Sequence, residues 1–274
     1  MSAFSTVRKK LPATVLQPIV KEYVYRRVRV NNALPVVKAM PLRWVSSIDF
    51  FTGAPYETIH CETGAVIPFA RCTIRGPRTH KKNYIRLHSG DFSVFSIRLQ
   101  PAGLYRLLGI PAAAFTDEAV DAACIPVPGM EALVEQLMVC TDIDSCIAVV
   151  EPFLLNRLQK NEARVRGSVA VQKLAAILHT RPVPPAIKSL QQQLALSLRQ
   201  LERNFVKEVG VTPKVYSRMV RFTNLLAYRK EHPECSWASL AYEFNYADQM
   251  HLIKDFKAFL GVNPSAFVME DFAF

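Results

Sequence analysis

The sequence predicts an α+β N-terminal domain, with a small β-rich sheet or barrel followed by helices, and an all-α C-terminal domain. Three observations lead to this fold class. Residues 40–100 are dense in β-branched and aromatic residues and are punctuated by Gly and Pro, as short strands are. After Pro101 the apolar residues take up helical spacing. From Gly167 onward the chain alternates between helical patterns and short turns.

The clearest predicted strand covers residues 91–100, where Phe95, Ile97 and Leu99 alternate with more polar positions and form one apolar face. Residues 65–74 predict a second strand by composition. Further along, Thr116 is predicted to cap a helix whose first turn is acidic.

A polar segment that ends in glycine, residues 160–167, marks the expected domain boundary. We therefore expect two domains, one over residues 1–163 and one over residues 168–270. The second domain should begin with a helix over residues 168–180, with Ser168 as its cap and an apolar stripe along one side.

The C-terminal part contains the same sequence motif twice, and we call each copy a repeated phrase. Residues 205–216 and 256–267 both fit Phe-x4-Gly-Val-Thr/Asn-Pro-x-x-aromatic, at a constant offset of 51 residues. Gly210 and Gly261 are predicted to end a helix in the left-handed conformation that glycine tolerates best. Thr212 and Asn263 should cap the next helix, with proline in its first turn.

Each phrase follows a short helix, a tight turn and an amphipathic helix, which predicts two helix-turn-helix units in tandem. The first short helix is expected over residues 187–194. Ser197 and Asp248, again 51 residues apart, are the predicted caps of the two recognition helices. A long helix from Pro213 to about Lys230 joins the units. At ~1.5 Å per residue it is long enough to hold them about one DNA turn apart.

The polar faces of the recognition helices give the candidate DNA-binding residues. Arg and Gln side chains are shaped to form two hydrogen bonds with one base edge. The candidates are Ser197, Arg199, Gln200, Glu202, Arg203, Gln249, Met250, His251, Ile253 and Lys254.

Residues 168–270 resemble the DNA-binding domain of the AraC/XylS family of bacterial transcription regulators. The resemblance is carried by LSLRQLERNFVKEVGVTPKVYSRMVRF and SLAYEFNYADQMHLIKDFKAFLGVNPSAF. The second turn departs from the family pattern with Asn245-Tyr246, and the second recognition helix with Ile253-Lys254. Because an isoleucine offers a base only apolar contact, we expect weaker base recognition by the second unit.

Residues 93–122 show a fainter similarity to the sensor domains of one subgroup of these regulators. The resemblance implies a transcription regulator with a sensor or dimerisation domain over residues 1–163 and a domain over residues 168–270 that binds double-stranded DNA. Its activity would be controlled by a ligand or a partner. The resemblance leaves open a small-molecule effector, contact with RNA polymerase and a homodimer.

Composition agrees with a DNA-binding protein. The formal net charge of +11 suggests a polyanionic partner. No apolar run is long enough to span a bilayer, and the N-terminus lacks the apolar core of a signal peptide, so we expect a cytoplasmic protein without a membrane partner. The cysteines form no C-x-x-C pair and are expected to be reduced and mostly buried: Cys61, Cys72, Cys124, Cys140, Cys146 and Cys235.

The rival interpretation is a DNA-repair enzyme, or another catalytic N-terminal domain, fused to the same DNA-binding domain. Such a repair enzyme needs clustered cysteines that bind zinc, and these cysteines are scattered. The sequence also lacks phosphate-binding and nucleophile motifs. We therefore expect no catalytic residues, metal site or cofactor. A basic stretch, residues 75–86, could contact phosphate, but we interpret it as a solvated loop.

Overall fold

The computed structural model describes residues 3–31, 34–162, 169–180, 183–185 and 197–272. The N-terminal domain contains two antiparallel sheets. Their strands are β1 (Ala3–Lys10), β2 (Val20–Val30), β3 (Val36–Ala39), β4 (Ser47–Phe51), β5 (Glu57–His60), β6 (Val66–Ile67), β7 (Cys72–Arg75), β8 (Asn83–Leu87), β9 (Gly90–Leu99) and β10 (Ala119–Asp121). The larger sheet has the order β1-β2-β9-β4-β7-β10 and the smaller one β3-β8-β5-β6.

Helices follow the strands and then make up the C-terminal domain. The N-terminal helices are α1 (Gly103–Leu108), α2 (Met130–Met138) and α3 (Ile143–Glu162). The C-terminal helices are α4 (Val169–Thr180), α5 (Leu198–Val209), α6 (Pro213–Glu231), α7 (Trp237–Glu243) and α8 (Gln249–Leu260). The predicted α+β and all-α fold class is confirmed.

One face of the larger sheet packs against helices, and the other faces the smaller sheet. On β9, Phe95, Ile97 and Leu99 are buried against α1, α2 and α3, as the alternation predicts. Phe92, on the opposite face, packs between the two sheets. Because strand side chains alternate, the polar residues of this second face also point inward, toward the smaller sheet.

The C-terminal domain is built on two apolar cores. The predicted stripe of α4 (Val171, Leu174, Ala175 and Leu178) is buried against α5 and α6. The second core lies between α6, α7 and α8. Phe205 and Phe256, the first residues of the two repeated phrases, are both fully buried. Each contributes roughly 1.5–3 kcal/mol by its burial.

The two domains share one of these cores. Ala39 and Leu42, from the end of β3 and the loop after it, pack with α6, α7 and α8. Phe272 forms a parallel backbone bridge with Ala39. Trp44 stacks on His179 of α4, with ring centroids 5.5 Å apart, and meets the ring of Tyr216 edge-on. The C-terminal domain is therefore packed directly against the N-terminal domain.

Two predictions about local structure are wrong. Thr116 does not begin a helix: it follows the 3-10 turn Ala112–Phe115 in an extended conformation and leads into β10. Asn263 makes no side-chain cap, and only a 3-10 turn, Pro264–Ala266, follows it. β1 and β2 were also not predicted, because their many basic residues hide the alternation of apolar side chains.

The interpretation of residues 75–86 as a solvated loop is also wrong. Arg75 is buried in β7, Arg78 is partly buried, and the segment continues into β8. The predicted cap at Ser168, the predicted helix over residues 187–194 and most of the predicted domain boundary lie outside the described residues.

Candidate nucleic-acid interface

The first recognition helix, α5, begins and ends where the sequence predicts. The Oγ of Ser197 accepts a hydrogen bond from the backbone N–H of Gln200 at 3.3 Å. The helix ends at Gly210, whose φ of 101° lies in the left-handed region. Leu201 and Phe205 are buried on one side of the helix. The opposite side exposes four of the candidate residues: Arg199, Gln200, Glu202 and Arg203.

The second recognition helix, α8, has the same design. The side chain of Asp248 accepts a hydrogen bond from the backbone N–H of His251 at 2.8 Å, and this bond lowers the pKa of the carboxyl group. Gly261 ends the helix with a φ of 72°. Gln249, Met250, His251 and Lys254 are exposed, whereas Ile253 is half-buried.

The helix and turn before α8 also have the conformations that the sequence predicts. Ser236 caps α7 by accepting a hydrogen bond from the N–H of Ser239 at 3.1 Å. Asn245, in the turn between α7 and α8, has a φ of 54°. Asparagine takes up this left-handed conformation more readily than most residues. Asn245 therefore supplies the left-handed backbone conformation of this turn.

A buried carboxylate fixes α8 against the long helix α6. Asp255 is 4% exposed and accepts hydrogen bonds from Arg218 at 2.6 Å and from the hydroxyl of Tyr246 at 3.1 Å. The guanidinium of Arg221 lies 3.6 Å from the same carboxylate and 3.8 Å from the centre of the Tyr246 ring. The sequence analysis missed this network, although an acid between Leu252 and Phe256 on the apolar side of α8 was a signal.

One segment of the N-terminal domain reaches the end of both recognition helices. We call residues 76–82 the bridging loop. A Cβ added at Gly210 would lie 3.1 Å from Cδ of Pro77 and 2.8 Å from Oγ1 of Thr116. A Cβ added at Gly261 would lie 3.2 Å from Cε of Lys81. The equivalent glycines of the two repeats therefore lie close to two residues of the same loop, Pro77 and Lys81.

A cavity of about 440 Å³ lies between the two sheets and is bounded on one side by α6. The residues around it come from both domains: from strands β2, β4, β7, β8 and β9, from the loops after β3 and β7, and from α6. They include Lys21, Arg26, Arg43, Trp44, Asp49, Arg75, Arg78, Arg98, Thr223 and Asn224. The sequence analysis proposed a sensor domain but did not locate this cavity.

The charges around the cavity are unbalanced, with six basic side chains and one acidic one. Burial alone would raise the pKa of Asp49, but the guanidinium groups of Arg75 and Arg43 hold it below its ordinary value. Burial and the neighbouring positive charges lower the pKa of Arg43 to about 10 and that of Arg78 to about 9. Positive charge in this cavity is therefore held at a cost in free energy.

Other chemistry is not evident in the described ranges. No group of three or more His, Cys, Asp or Glu residues there is placed to hold a metal ion. All six cysteines are free thiols, but only Cys72 and Cys146 are buried, fewer than expected. Among the described helices, none combines the length and apolar character needed to cross a membrane.

Comparison with known proteins places the recognition helices in a known kind of domain. Residues 190–269 match the helix-turn-helix domain family, and the region is a DNA-binding domain of the AraC type. No curated protein matches the chain significantly.

Three solved structures are among those similar to the whole chain. ToxT from Vibrio cholerae O395 shares 10% identity, with 96% of each chain covered and a TM-score of 0.47. Unsaturated fatty acid-bound wild-type ToxT from Vibrio cholerae strain SCE256 shares 12% identity, with 86% of this chain and 95% of that chain covered and a TM-score of 0.43. The AraC-like transcriptional activator CuxR shares 11% identity, with 98% and 91% covered and a TM-score of 0.22.

Proposed function

We propose that this protein is a sequence-specific DNA-binding transcription regulator whose N-terminal domain controls the two recognition helices in response to a small-molecule ligand. The observation that carries the proposal is the placement of those helices. Both expose a polar face, while the glycines that end them, Gly210 and Gly261, lie against the same bridging loop of the N-terminal domain. The polar faces are free for DNA, and the opposite ends are held by the domain that would sense the ligand.

In this proposal α5 supplies most of the base contacts. Arg199, Gln200 and Arg203 can each form paired hydrogen bonds with a base edge. Ser197 and Glu202 stand at the start and on the same exposed side of the helix, where they can contact phosphate or a cytosine amino group.

α8 supplies the second set of contacts. Gln249 suits adenine, Lys254 suits a phosphate or a guanine, and His251 can bind a phosphate when it is protonated. Met250 and Ile253 offer apolar contact to a thymine methyl group. The long helix α6, of 19 residues, spans roughly 28 Å at ~1.5 Å per residue. This length suits two major-groove contacts about one DNA turn apart.

In this proposal each of the two expected domains has its own function. Residues 1–163 would sense the ligand or form a homodimer, and residues 168–270 would bind DNA in the cytoplasm. β1 lies at the edge of the larger sheet, and its side chains from Ser5 to Lys10 are exposed. A second copy of the chain could pair with this edge, and RNA polymerase could contact the remaining surface of the DNA-bound protein.

The proposal is tested by selecting binding sites for the full-length protein from random double-stranded DNA and titrating the selected site. Arg203→Ala should weaken binding by about 1–3 kcal/mol and relax the preference at one base position. Arg27→Ala, which removes an exposed charge from β2, is the matched control and should leave affinity almost unchanged. The affinity should also fall steeply with salt, because phosphate contacts release counterions. A full-length protein that selects no sequence would contradict the proposal.

A further inference from the structure

The cavity between the two sheets has features that the proposed function does not explain by itself. Its volume, about 440 Å³, lies within the range of roughly 300–1,000 Å³ that is usual for small-molecule sites. It is bounded by side chains of β2, β4, β7 and β9 on one side and by α6 on the other. A ligand in it would therefore contact both domains at once.

The basic groups around the cavity are incompletely neutralised. Arg75 lies 3.3 Å from Asp49, the one acidic residue of the wall, and donates a hydrogen bond to the hydroxyl of Tyr56. Arg98 is paired with Glu22 at 2.8 Å. Among the described residues, these two acids and Asp117, whose charge acts on Arg78, are fewer than the six basic side chains, and like charges buried together repel one another.

Two of the guanidinium groups also have an unused donor. Within the described residues, Nε of Arg43 and Nε of Arg98 are buried and have no hydrogen-bond partner. A buried donor without a partner destabilises the folded state, because it has lost its hydrogen bonds to water. Both residues lie in the wall of the cavity, so an acceptor inside the cavity could satisfy them.

The remaining wall is apolar. It includes Val24, Val45, Phe51, Ile85 and Val94. The mixture of basic groups and apolar surface fits an anion that has a carbon skeleton. Trp44 completes one side, with the ammonium group of Lys21 4.3 Å from the centre of its ring.

We propose that this cavity binds a compact organic anion that carries more than one negative charge on its oxygen atoms, such as a small polycarboxylate or a phosphorylated metabolite. This inference rests on the proposed function, because such an anion would be the ligand that controls the regulator. A single carboxylate would neutralise one of the surplus charges and leave the others facing each other. Several negatively charged oxygen atoms on a short skeleton neutralise more of them and accept hydrogen bonds from the unused N–H groups.

The first test measures thermal unfolding of the full chain in the presence of citrate, glucose 6-phosphate, octanoate, acetate or glucose. Citrate or glucose 6-phosphate should raise the melting temperature progressively with concentration, because a ligand that binds only the folded state stabilises it. The anion that gives the larger shift at equal concentration distinguishes a polycarboxylate from a phosphate ester. Octanoate, acetate and glucose should have little effect.

Matched variants distinguish binding of the anion in the cavity from a general effect of salt on stability. Arg43→Gln removes one of the unsatisfied donors. It should weaken binding of the anion about tenfold or more, which is the usual effect of losing a hydrogen bond to a charged group. Arg26→Gln removes a second wall residue and replaces Arg43→Gln if that variant does not fold. Arg27→Gln, on the next residue of the same strand, points away from the cavity and should bind the anion normally.

Tryptophan fluorescence gives an independent signal. The chain contains two tryptophans, and only Trp44 lies in the wall of the cavity. In a Trp237→Phe background, citrate or glucose 6-phosphate should change the emission of Trp44 over the same concentration range that raises the melting temperature.

Two outcomes overturn the inference: equal stabilisation of Arg43→Gln, Arg26→Gln and Arg27→Gln by every anion, or tighter binding of octanoate than of both polyanions. DNA binding is measured in parallel on the selected site. Sequence-specific DNA binding without any anion binding would reject this inference and leave the DNA-binding function standing. Anion binding by a protein that selects no DNA sequence would reject the proposed function instead.

Discussion

The hydroxyl of Thr116, in the N-terminal domain, donates a hydrogen bond to the carbonyl oxygen of Gly210 at 2.7 Å. Gly210 ends the first recognition helix, so this bond joins the domain with the cavity to the helix with the exposed arginines. The neighbouring backbone is held as well: the N–H of Asp117 bonds to the carbonyl of Pro77 in the bridging loop, and the N–H of Thr79 bonds to the Asp117 carboxylate.

The bridging loop is directly connected to the cavity wall. Arg75 precedes it, and Arg78 lies within it beside Pro77. A shift of the Arg78 guanidinium toward a bound anion would therefore move the residues that contact Gly210 and Gly261. We propose that this is the route by which a ligand changes the relative position of the two recognition helices.

Replacing Thr116 with Val should loosen the link between the domains. Valine has nearly the same shape but cannot donate to the Gly210 carbonyl, so the full chain should lose about 0.5–1.5 kcal/mol of stability. The change in DNA affinity on adding an anion should also become smaller. Thr116→Ser keeps the hydroxyl and serves as the control. Stability and anion response equal to wild type in Thr116→Val would show that the bond does not link the domains.

The two repeated glycines should differ in their tolerance of alanine. Both have a left-handed backbone, which costs a non-glycine residue about 1–2 kcal/mol. At Gly261 the new Cβ meets only the flexible end of Lys81, which can move. At Gly210 it would lie 2.8 Å from Thr116 Oγ1 and 3.1 Å from the carbonyl oxygen of Ala112, which cannot easily move.

Gly210→Ala should therefore destabilise the protein by about 1–2 kcal/mol more than Gly261→Ala. Chemical denaturation of both variants measures the difference. Equal losses in the two variants would mean that the contact with the N-terminal domain adds nothing to the cost of the backbone conformation.

A half-buried histidine between the domains, His179, should make stability depend on pH. Burial lowers the pKa of His179 below its ordinary value, so its imidazole resists protonation in the folded protein. The unfolded chain takes up this proton at a higher pH, near 6.5. Its contribution to stability is complete above that pH and is lost as the pH falls through 6.5 toward the lower folded-state pKa.

His179→Phe keeps a ring to stack on Trp44 but cannot titrate. The free energy of unfolding of this variant should fall less between pH 7 and pH 5 than that of the wild type. Denaturant unfolding at several pH values measures the slope, and an unchanged slope in the variant would assign the acid sensitivity to other groups.

Asp255 should be needed to orient the second recognition helix. Asp255→Asn leaves Arg218 and Arg221 without their shared carboxylate, and losing one partner of a buried ion pair costs about 3–5 kcal/mol when both charges are buried. Because Arg218 is partly exposed, we expect about 2–3 kcal/mol here. DNase footprinting should show protection by α5 retained and protection by α8 weakened. Loss of both halves together would show that the network supports the whole domain.

The parts of the structure that the sequence predicted are those whose causes are local. Ser197 and Asp248 cap helices that begin beside them, and Gly210 and Gly261 end helices a few residues away. Thr116 shows the opposite case. Its neighbours suggest a helix cap, but its hydroxyl finds an acceptor 94 residues further along the chain.

The cavity could not be predicted for the same reason. Its wall combines residues as distant as Lys21 and Asn224. Arg26 and Arg98 occupy alternating positions on strands, a pattern that normally indicates a solvated face. Only the pairing of β2 with β9, and the second sheet that covers them, turns these positions inward.

The last prediction concerns the asymmetry between the recognition helices. α5 exposes Arg199, Gln200 and Arg203, whereas α8 exposes one comparable group, Gln249, and has the half-buried Ile253 on the same side. Bidentate contacts discriminate between bases by about 1–3 kcal/mol each, and apolar or single contacts by less. The selected DNA site should therefore have one sharply defined half, bound by α5, and one degenerate half about one helical turn away.

Site selection with Arg203→Ala and with Gln249→Ala assigns the halves. The arginine variant should blur the sharp half, and the glutamine variant should change only the degenerate half. Two equally sharp halves in the wild type would contradict this assignment. So would a sharp half that changes with Gln249→Ala and is unaffected by Arg203→Ala, because the side chains best suited to paired hydrogen bonds would then not be the ones that determine the sequence.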